Sequence, residues 1–147
     1  MNLTQHFTLE EFCLSTTAVS LGIPNIPSPA LYHAMRATCG GLERIRTITQ
    51  KPIVILSGFR TEQLNQMLMG AKNSQHLEGE AADIICPGYG TPLEFAKVIE
   101  EHALSINYDQ MILEYAQWVH ISFSVTPRRE ALTRRTRLEG YLKGIVV

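Results

Sequence analysis

The sequence has 147 residues, of which 45% are hydrophobic and 18% charged. A chain of this size and composition can bury one sizeable core, which excludes a disordered protein and predicts a single domain over residues 1–147. The formal net charge of −1 gives no reason to expect nucleic acid as a partner.

The three cysteines are odd in number and lack a CxxC pattern, so neither a disulfide framework nor a thiolate zinc site is indicated. No apolar run reaches the roughly 18 residues that span a bilayer. The N-terminus, MNLTQHFTLEEF, has neither a basic region nor an apolar one of the kind that export signals carry. We therefore expect a protein that is made in the cytoplasm without a classical signal peptide and has no transmembrane segment. We also expect a monomer.

The N-terminal third of the chain is expected to be helical. Thr8-Leu9-Glu10-Glu11 matches a capping box and predicts a helix from Leu9. Ser28-Pro29 predicts a second start, followed by apolar residues at helical spacing up to about Ile48. Further along the chain, Thr91-Pro92-Leu93-Glu94 combines a capping box with a first-turn proline and predicts a helix to about Ala103, with Phe95, Val98 and Ile99 on one face. His102 is expected to face solvent or to lie at the helix end.

Four short β-rich segments follow the first helices, at residues 53–59, 81–86, 110–114 and 118–123. The order of helices and strands predicts an α+β fold, with a small, mainly antiparallel sheet and helices packed on one side. The basic segment RREALTRRTR, at 128–137, is expected to be a solvated helix face or a tail.

Two histidines and one aspartate are candidate metal ligands. Asp83 lies in the apolar segment AADIIC, where a buried carboxylate needs a partner or a cation. His120 alternates with core residues on WVHISF, so it faces away from the core, and His76 precedes Asp83 in a polar, glycine-containing stretch. Two histidines and one carboxylate suit a catalytic zinc, which would hold and acidify the attacking water. They also suit the facial triad of a non-haem iron oxygenase.

Glu114 is the candidate general base. If Tyr115, Ala116 and Gln117 connect the last two strands, Glu114 pairs with Trp118 and shares the face of His120, whereas a two-residue turn would send it to the other face. Arg60 ends a strand, where its planar guanidinium could bind a substrate carboxylate.

Three stretches together resemble the zinc D-alanyl-D-alanine peptidases, a family whose relatives include phage endolysins and the hedgehog domain. They are SGFRT at 57–61, the S-x-H-x-x-G-x-A-x-D pattern from Ser74 to Asp83, and WVHISF. FTLEEFCLS and NIPSP also look like a bacterial and phage branch, so the likeness covers most of residues 7–124.

The resemblance implies a zinc ligand set and a substrate site. It makes His76, Asp83 and His120 the ligands of one zinc ion and Arg60 the arginine that binds substrate. Ser74 matches a position near the ligands or the substrate, and we also assign Trp118 to substrate binding.

The catalytic acid is the point of departure from the family. Many members carry it three residues before the last histidine, where this chain has Gln117, which cannot take a proton from water. The hedgehog-type spacing instead places a glutamate six residues before that histidine, as Glu114 stands here.

The resemblance also implies a function and a substrate. We expect a zinc peptidase that hydrolyses peptide bonds of peptidoglycan stem peptides, either as a D-Ala-D-Ala carboxypeptidase or as an endopeptidase. We expect it to act in the cell wall, or to be encoded by a phage or prophage. The alternative is a non-catalytic, zinc-stabilised module that binds cell wall or protein.

Overall fold

The computed structural model describes residues 1–147 and contains six α-helices and one six-stranded sheet. The helices are α1 (Leu9–Cys13), α2 (Thr16–Leu21), α3 (Tyr32–Thr49), α4 (Glu62–Met67), α5 (Pro92–Glu101) and α6 (Ala103–Ile106). The strands are β1 (Val54–Ser57), β2 (Ala81–Ile85), β3 (Gln110–Glu114), β4 (Trp118–Ser122), β5 (Glu130–Arg134) and β6 (Leu142–Lys143). Short 3₁₀ turns at Pro29–Leu31 and Gln75–Glu78 complete the elements.

The sheet has the strand order β1-β2-β4-β3-β5-β6. Every neighbouring pair is antiparallel except β3 and β5, which run parallel. The mixture of helices with a mainly antiparallel sheet confirms the predicted α+β fold. Its topology puts β2 and β4 in the interior of the sheet, with β1 and β6 at the edges.

The main core lies between one face of the sheet and the two longest helices. Val119 and Ile121 of β4 are fully buried there, as the period-two pattern of WVHISF predicts. The helices contribute apolar side chains from one face each: Met35, Cys39, Leu42 and Ile45 from α3, and Phe95, Val98 and Ile99 from α5. Because this face is filled, the alternate residues of β4 face the opposite side of the sheet.

Two of the predicted helix starts are confirmed by their caps. The hydroxyl of Thr8 accepts a hydrogen bond from the Glu11 amide, and the hydroxyl of Thr91 accepts one from the Glu94 amide. Ser28 caps the 3₁₀ turn that leads into α3, so the α-helical geometry begins at Tyr32, three residues later than Pro29. No helix combines the length and the hydrophobicity that crossing a membrane requires.

Several features differ from the sequence expectations. The basic segment 128–137 is neither a helix face nor a tail, because its residues 130–134 form β5 and continue the sheet beside β3. Helix α5 ends at Glu101, slightly before the predicted end near Ala103, and His102 is its exposed C-cap residue, in agreement with the expected helix-end position. The short helices α2 and α4 were not predicted, nor was β6.

Candidate metal centre and cleft

The three predicted metal ligands come together on the face of the sheet opposite the main core. One ligand atom from each of His76, Asp83 and His120 lies within 4.8 Å of the other two. The Asp83 Oδ1 atom is 3.3 Å from His76 Nε2 and 3.0 Å from His120 Nδ1. Residues that are distant in sequence therefore present two imidazoles and one carboxylate to a common point.

His76 is positioned by the short turn that carries it. The hydroxyl of Ser74 accepts a hydrogen bond from the His76 amide, and Gly79 ends the turn with a φ of +71°, which favours glycine. The ring is buried, and its Nδ1 lies 2.7 Å from the Gly58 carbonyl oxygen. Since a carbonyl can only accept, Nδ1 carries the proton and donates it, and the Nε2 lone pair is left for a metal.

Asp83 occupies the middle of β2, paired with Ser57 on one side and His120 on the other. Burial alone would raise the pKa of this carboxyl, but the neighbouring His76 and His120 outweigh burial and hold the pKa well below its usual range. Burial also lowers the pKa of His76, which favours the neutral imidazole that binds metals. The centre thus offers an ionised carboxylate beside a neutral ring nitrogen.

Arg60 uses its guanidinium within the centre. Its Nη2 donates to Asp83 Oδ2 at 3.1 Å, its Nε to Ser57 Oγ at 3.0 Å, and its Nη1 to Asn65 Oδ1 at 3.2 Å. Only 12% of the side chain is exposed. Arg60 therefore holds the ligand carboxylate in place, while its predicted contact with substrate stays a prediction.

Glu114 lies beside the centre because of the register of the β3–β4 hairpin. Glu114 pairs with Trp118 and Ile112 pairs with His120, so the glutamate and the histidine share one face, as the three-residue connection predicts. Burial raises the pKa of Glu114 above its ordinary value, although the charge of His120 opposes this rise. A partly buried carboxylate with a raised pKa is well matched to accepting a proton near neutral pH.

The turn of this hairpin has an unusual backbone. Tyr115 and Ala116 both have a φ of +55°, a conformation that costs about 1–2 kcal/mol for a residue with a side chain. The neighbouring strand holds the turn: the Tyr115 amide donates to the Arg134 carbonyl at 2.7 Å, and the Tyr115 ring packs edge-on against Trp118. Gln117 is exposed in this turn and does not line the cleft, in contrast to Trp118.

A cleft of about 490 Å³ opens over the centre, a volume within the range of ligand sites. His76, Asp83, His120, Arg60, Ser74, Glu114 and Trp118 all line it. The C-terminal segment contributes a second wall, with Arg128, Arg134, Arg137 and Tyr141.

The sequence did not predict this wall. Arg128 is held by Asp109, a buried carboxylate that accepts from Arg128 Nε at 2.9 Å and from Gln75 Nε2 at 3.0 Å. The visible signal was the clustering of five arginines in 128–137, but the parallel pairing of β5 with β3 was needed to bring three of them to the cleft.

The donor set fits a zinc ion. Nitrogen from two imidazoles and oxygen from one carboxylate are ligands that zinc takes in catalytic sites with three protein ligands. The hydrogen bond from His76 to Gly58 and the one from Arg60 to Asp83 are of the kind that orients such ligands. His76, Asp83 and His120 could therefore hold the metal.

Comparison with known protein families gives one match. A family described as Peptidase M15 matches residues 5–122, which is more than half of the chain and includes every residue of the centre and Glu114. The matched range ends before β5, so the arginine-bearing wall lies outside it. No curated protein matches the chain.

Proposed function

The chain belongs to the peptidase M15 family, and from that premise we propose that it is a zinc metallopeptidase that hydrolyses peptide bonds in peptidoglycan stem peptides. The family supports a peptidase role in general. The stem-peptide substrate rests on the resemblance of SGFRT, the Ser74–Asp83 pattern and WVHISF to D-Ala-D-Ala peptidases. We propose the cell wall as the place of action.

The observation that carries the proposal is the position of Glu114 on the face of His120, next to a three-ligand centre. His76, Asp83 and His120 would hold zinc, which supplies Lewis acidity and lowers the pKa of water at the centre. Arg60 keeps Asp83 oriented for this task through its hydrogen bond to Oδ2.

Glu114 moves the protons in the proposed reaction. Its carboxylate accepts a proton from the water that attacks the scissile carbonyl carbon, and the same carboxyl then donates that proton to the leaving amine. The C–N bond breaks, and the products are a carboxylate and an amine. The raised pKa of Glu114 suits both steps, since the group must gain and lose a proton within one cycle.

The test is a pair of substitutions in one hairpin. Glu114→Gln should retain zinc, measured by metal analysis, and lose hydrolysis of purified muropeptides, measured by mass spectrometry. We expect a loss of at least about a hundredfold, as is typical when a general base is removed. Gln117→Ala is the matched control, because Gln117 is exposed outside the cleft and its replacement should leave turnover unchanged.

The outcomes separate the possible functions. Hydrolysis retained by Glu114→Gln would rule out Glu114 as the base. A similar loss in Gln117→Ala would show that disturbance of the hairpin, and not removal of the Glu114 carboxylate, causes the effect. If the wild-type protein binds zinc and sediments with cell wall but cuts no muropeptide, the chain is a non-catalytic binding module and the peptidase proposal is wrong.

A further inference from the structure

Arg134 is one of two arginines of the cleft that have no anionic partner, and the other, Arg137, is exposed. Arg60 is hydrogen-bonded to Asp83, and Arg128 is hydrogen-bonded to Asp109. Arg134 forms no ion pair with any carboxylate, and its one side-chain hydrogen bond joins Nη1 to the hydroxyl of Tyr141. Partial burial of a guanidinium without an anionic partner costs free energy. A ligand that brings a negative group to this point would offset that cost.

The guanidinium of Arg134 is nevertheless held in a fixed place. Its central carbon lies 4.9 Å from the ring centroid of Tyr141 and 5.9 Å from that of Tyr115, within the range of cation–π attraction. Its Nε is buried and has no hydrogen-bond partner. Nη2 makes no hydrogen bond within the protein, so this nitrogen is free to donate to a substrate oxygen.

The strand register brings this guanidinium to the reacting groups. Arg134 is the β5 residue that pairs with Glu114 of β3, and in a parallel pair the two side chains project from the same face of the sheet. Their atoms do not form an ion pair, yet the positive charge of Arg134 opposes the rise that burial causes in the Glu114 pKa. A group bound to Arg134 would therefore lie close to the bond that Glu114 acts on.

From these contacts we propose that Arg134 binds a carboxylate of the substrate, next to the scissile bond, and that the wall formed by β5 and residues 135–141 selects anionic peptides. The inference rests on the proposed function for the kind of ligand, a stem peptide. Such a peptide offers carboxylates from two sources, its C-terminus and its acidic side chains, and either one can accept a hydrogen bond from Nη2. Arg134 lies outside residues 5–122, so family membership alone does not assign it.

The test measures binding separately from cleavage. The zinc-loaded Glu114→Gln protein is titrated with three forms of one synthetic stem pentapeptide ending in D-Ala-D-Ala. The first form has all carboxylates free, the second has a C-terminal amide, and the third has its side-chain carboxylates amidated. We expect the free form to bind at least about tenfold more tightly than one of the two amidated forms. The amidated form that binds more weakly identifies the carboxylate that Arg134 recognises.

Adding Arg134→Gln should remove that difference by weakening only the peptides that keep the recognised carboxylate. Arg134→Lys should restore part of it, because the charge stays while the fork is lost. Arg135→Gln is the matched control, since it removes one positive charge from the neighbouring residue, which lies outside the cleft and pairs with Glu139. Thermal unfolding of each variant shows whether the loss of the tyrosine contacts alters stability.

The inference would be overturned if Arg134→Gln weakened the binding of all three peptides equally or left it unchanged. It would also be overturned if no form of the peptide bound. If Arg134 acts only through Glu114, Arg134→Gln in the wild-type background should slow cleavage of every peptide form, while the affinities of the three forms should be equal. If binding depends on Arg134 but zinc-loaded wild-type protein cleaves nothing, the carboxylate site stands and the peptidase proposal fails. If the wild-type protein cleaves the peptides but neither cleavage nor binding depends on Arg134, the peptidase proposal stands and the inference about Arg134 is wrong.

Discussion

Two adjacent glycines of α3 should respond to alanine in opposite directions. A methyl group on Gly41 would fall within the ring of Phe123, closer than real Cβ atoms come to their neighbours. The ring cannot easily move aside, because it is 6% exposed and the Arg44 guanidinium lies 5.6 Å from its centroid. Arg44 is itself fixed by two hydrogen bonds to the Ile106 carbonyl. At Gly40 the nearest atom is Arg44 Nη1 at 3.9 Å, so there is room.

The magnitudes follow from these two surroundings. Alanine in a helix interior is worth about 0.5–1 kcal/mol over glycine, so Gly40→Ala should raise the free energy of unfolding by that amount. Overpacking a filled core costs about 1–3 kcal/mol, and the depth of the overlap at Gly41 favours the upper part of this range. Gly41→Ala should therefore lower the free energy of unfolding by about 1–2.5 kcal/mol after the helix gain is subtracted.

Urea unfolding of both variants measures this difference. A further variant tests the cause: Phe123→Leu shortens the opposing side chain, so the Gly41→Ala cost measured in that background should be smaller than in the wild-type protein. Equal stabilities of Gly40→Ala and Gly41→Ala, or strictly additive effects with Phe123→Leu, would refute the steric reasoning.

Three other expectations concern charge and metal. The hydrogen bond from Arg128 holds the pKa of Asp109 below its ordinary value, so this carboxylate stabilises the fold above about pH 4 and the contribution is lost as the pH falls through the lowered value. Asp109→Asn should then lower the free energy of unfolding by about 1–2 kcal/mol at pH 7, measured by urea unfolding. The variant should also lose less stability than the wild-type protein as the pH falls, and an unchanged dependence of stability on pH would contradict this expectation. Zinc at a hundredfold excess over its dissociation constant should add about 2.7 kcal/mol to stability, an increment that chelator removes and that His120→Ala lacks. Arg60→Gln should weaken zinc affinity about 10–100-fold if the arginine acts through Asp83, whereas unchanged affinity with a raised KM would favour the predicted contact with substrate.

The sequence predicted the centre well because two local rules determine most of it. Alternation along WVHISF decides the face of His120, and the length of the 115–117 connection decides the register of Glu114. Both rules act between residues that are close in the chain. The structure agrees with the predicted register even though the turn contains neither glycine nor asparagine, because contacts from β5 hold Tyr115 in its left-handed conformation.

The second wall of the cleft could not be predicted in the same way. The segment 130–134 is short and carries charged residues at both ends. It forms a strand because it pairs with β3, about twenty residues earlier in the chain. The hydrogen bonds of Arg60 could not be predicted for a related reason. Its hydrogen bonds go to Ser57, Asn65 and Asp83, and only the folded sheet shows that the last of these, distant in the chain, is within reach.

The placement of two ligands on interior strands has a consequence for local unfolding. Asp83 and His120 are direct neighbours on β2 and β4, each with a further strand on its outer side. Sheets open first at their edges, here β1 and the two-residue β6, whereas interior strands exchange their amide hydrogens most slowly. Fraying at either edge would leave this ligand pair together. A bound ion should therefore keep two of its three ligands while either edge is open, since only His76 lies outside the sheet.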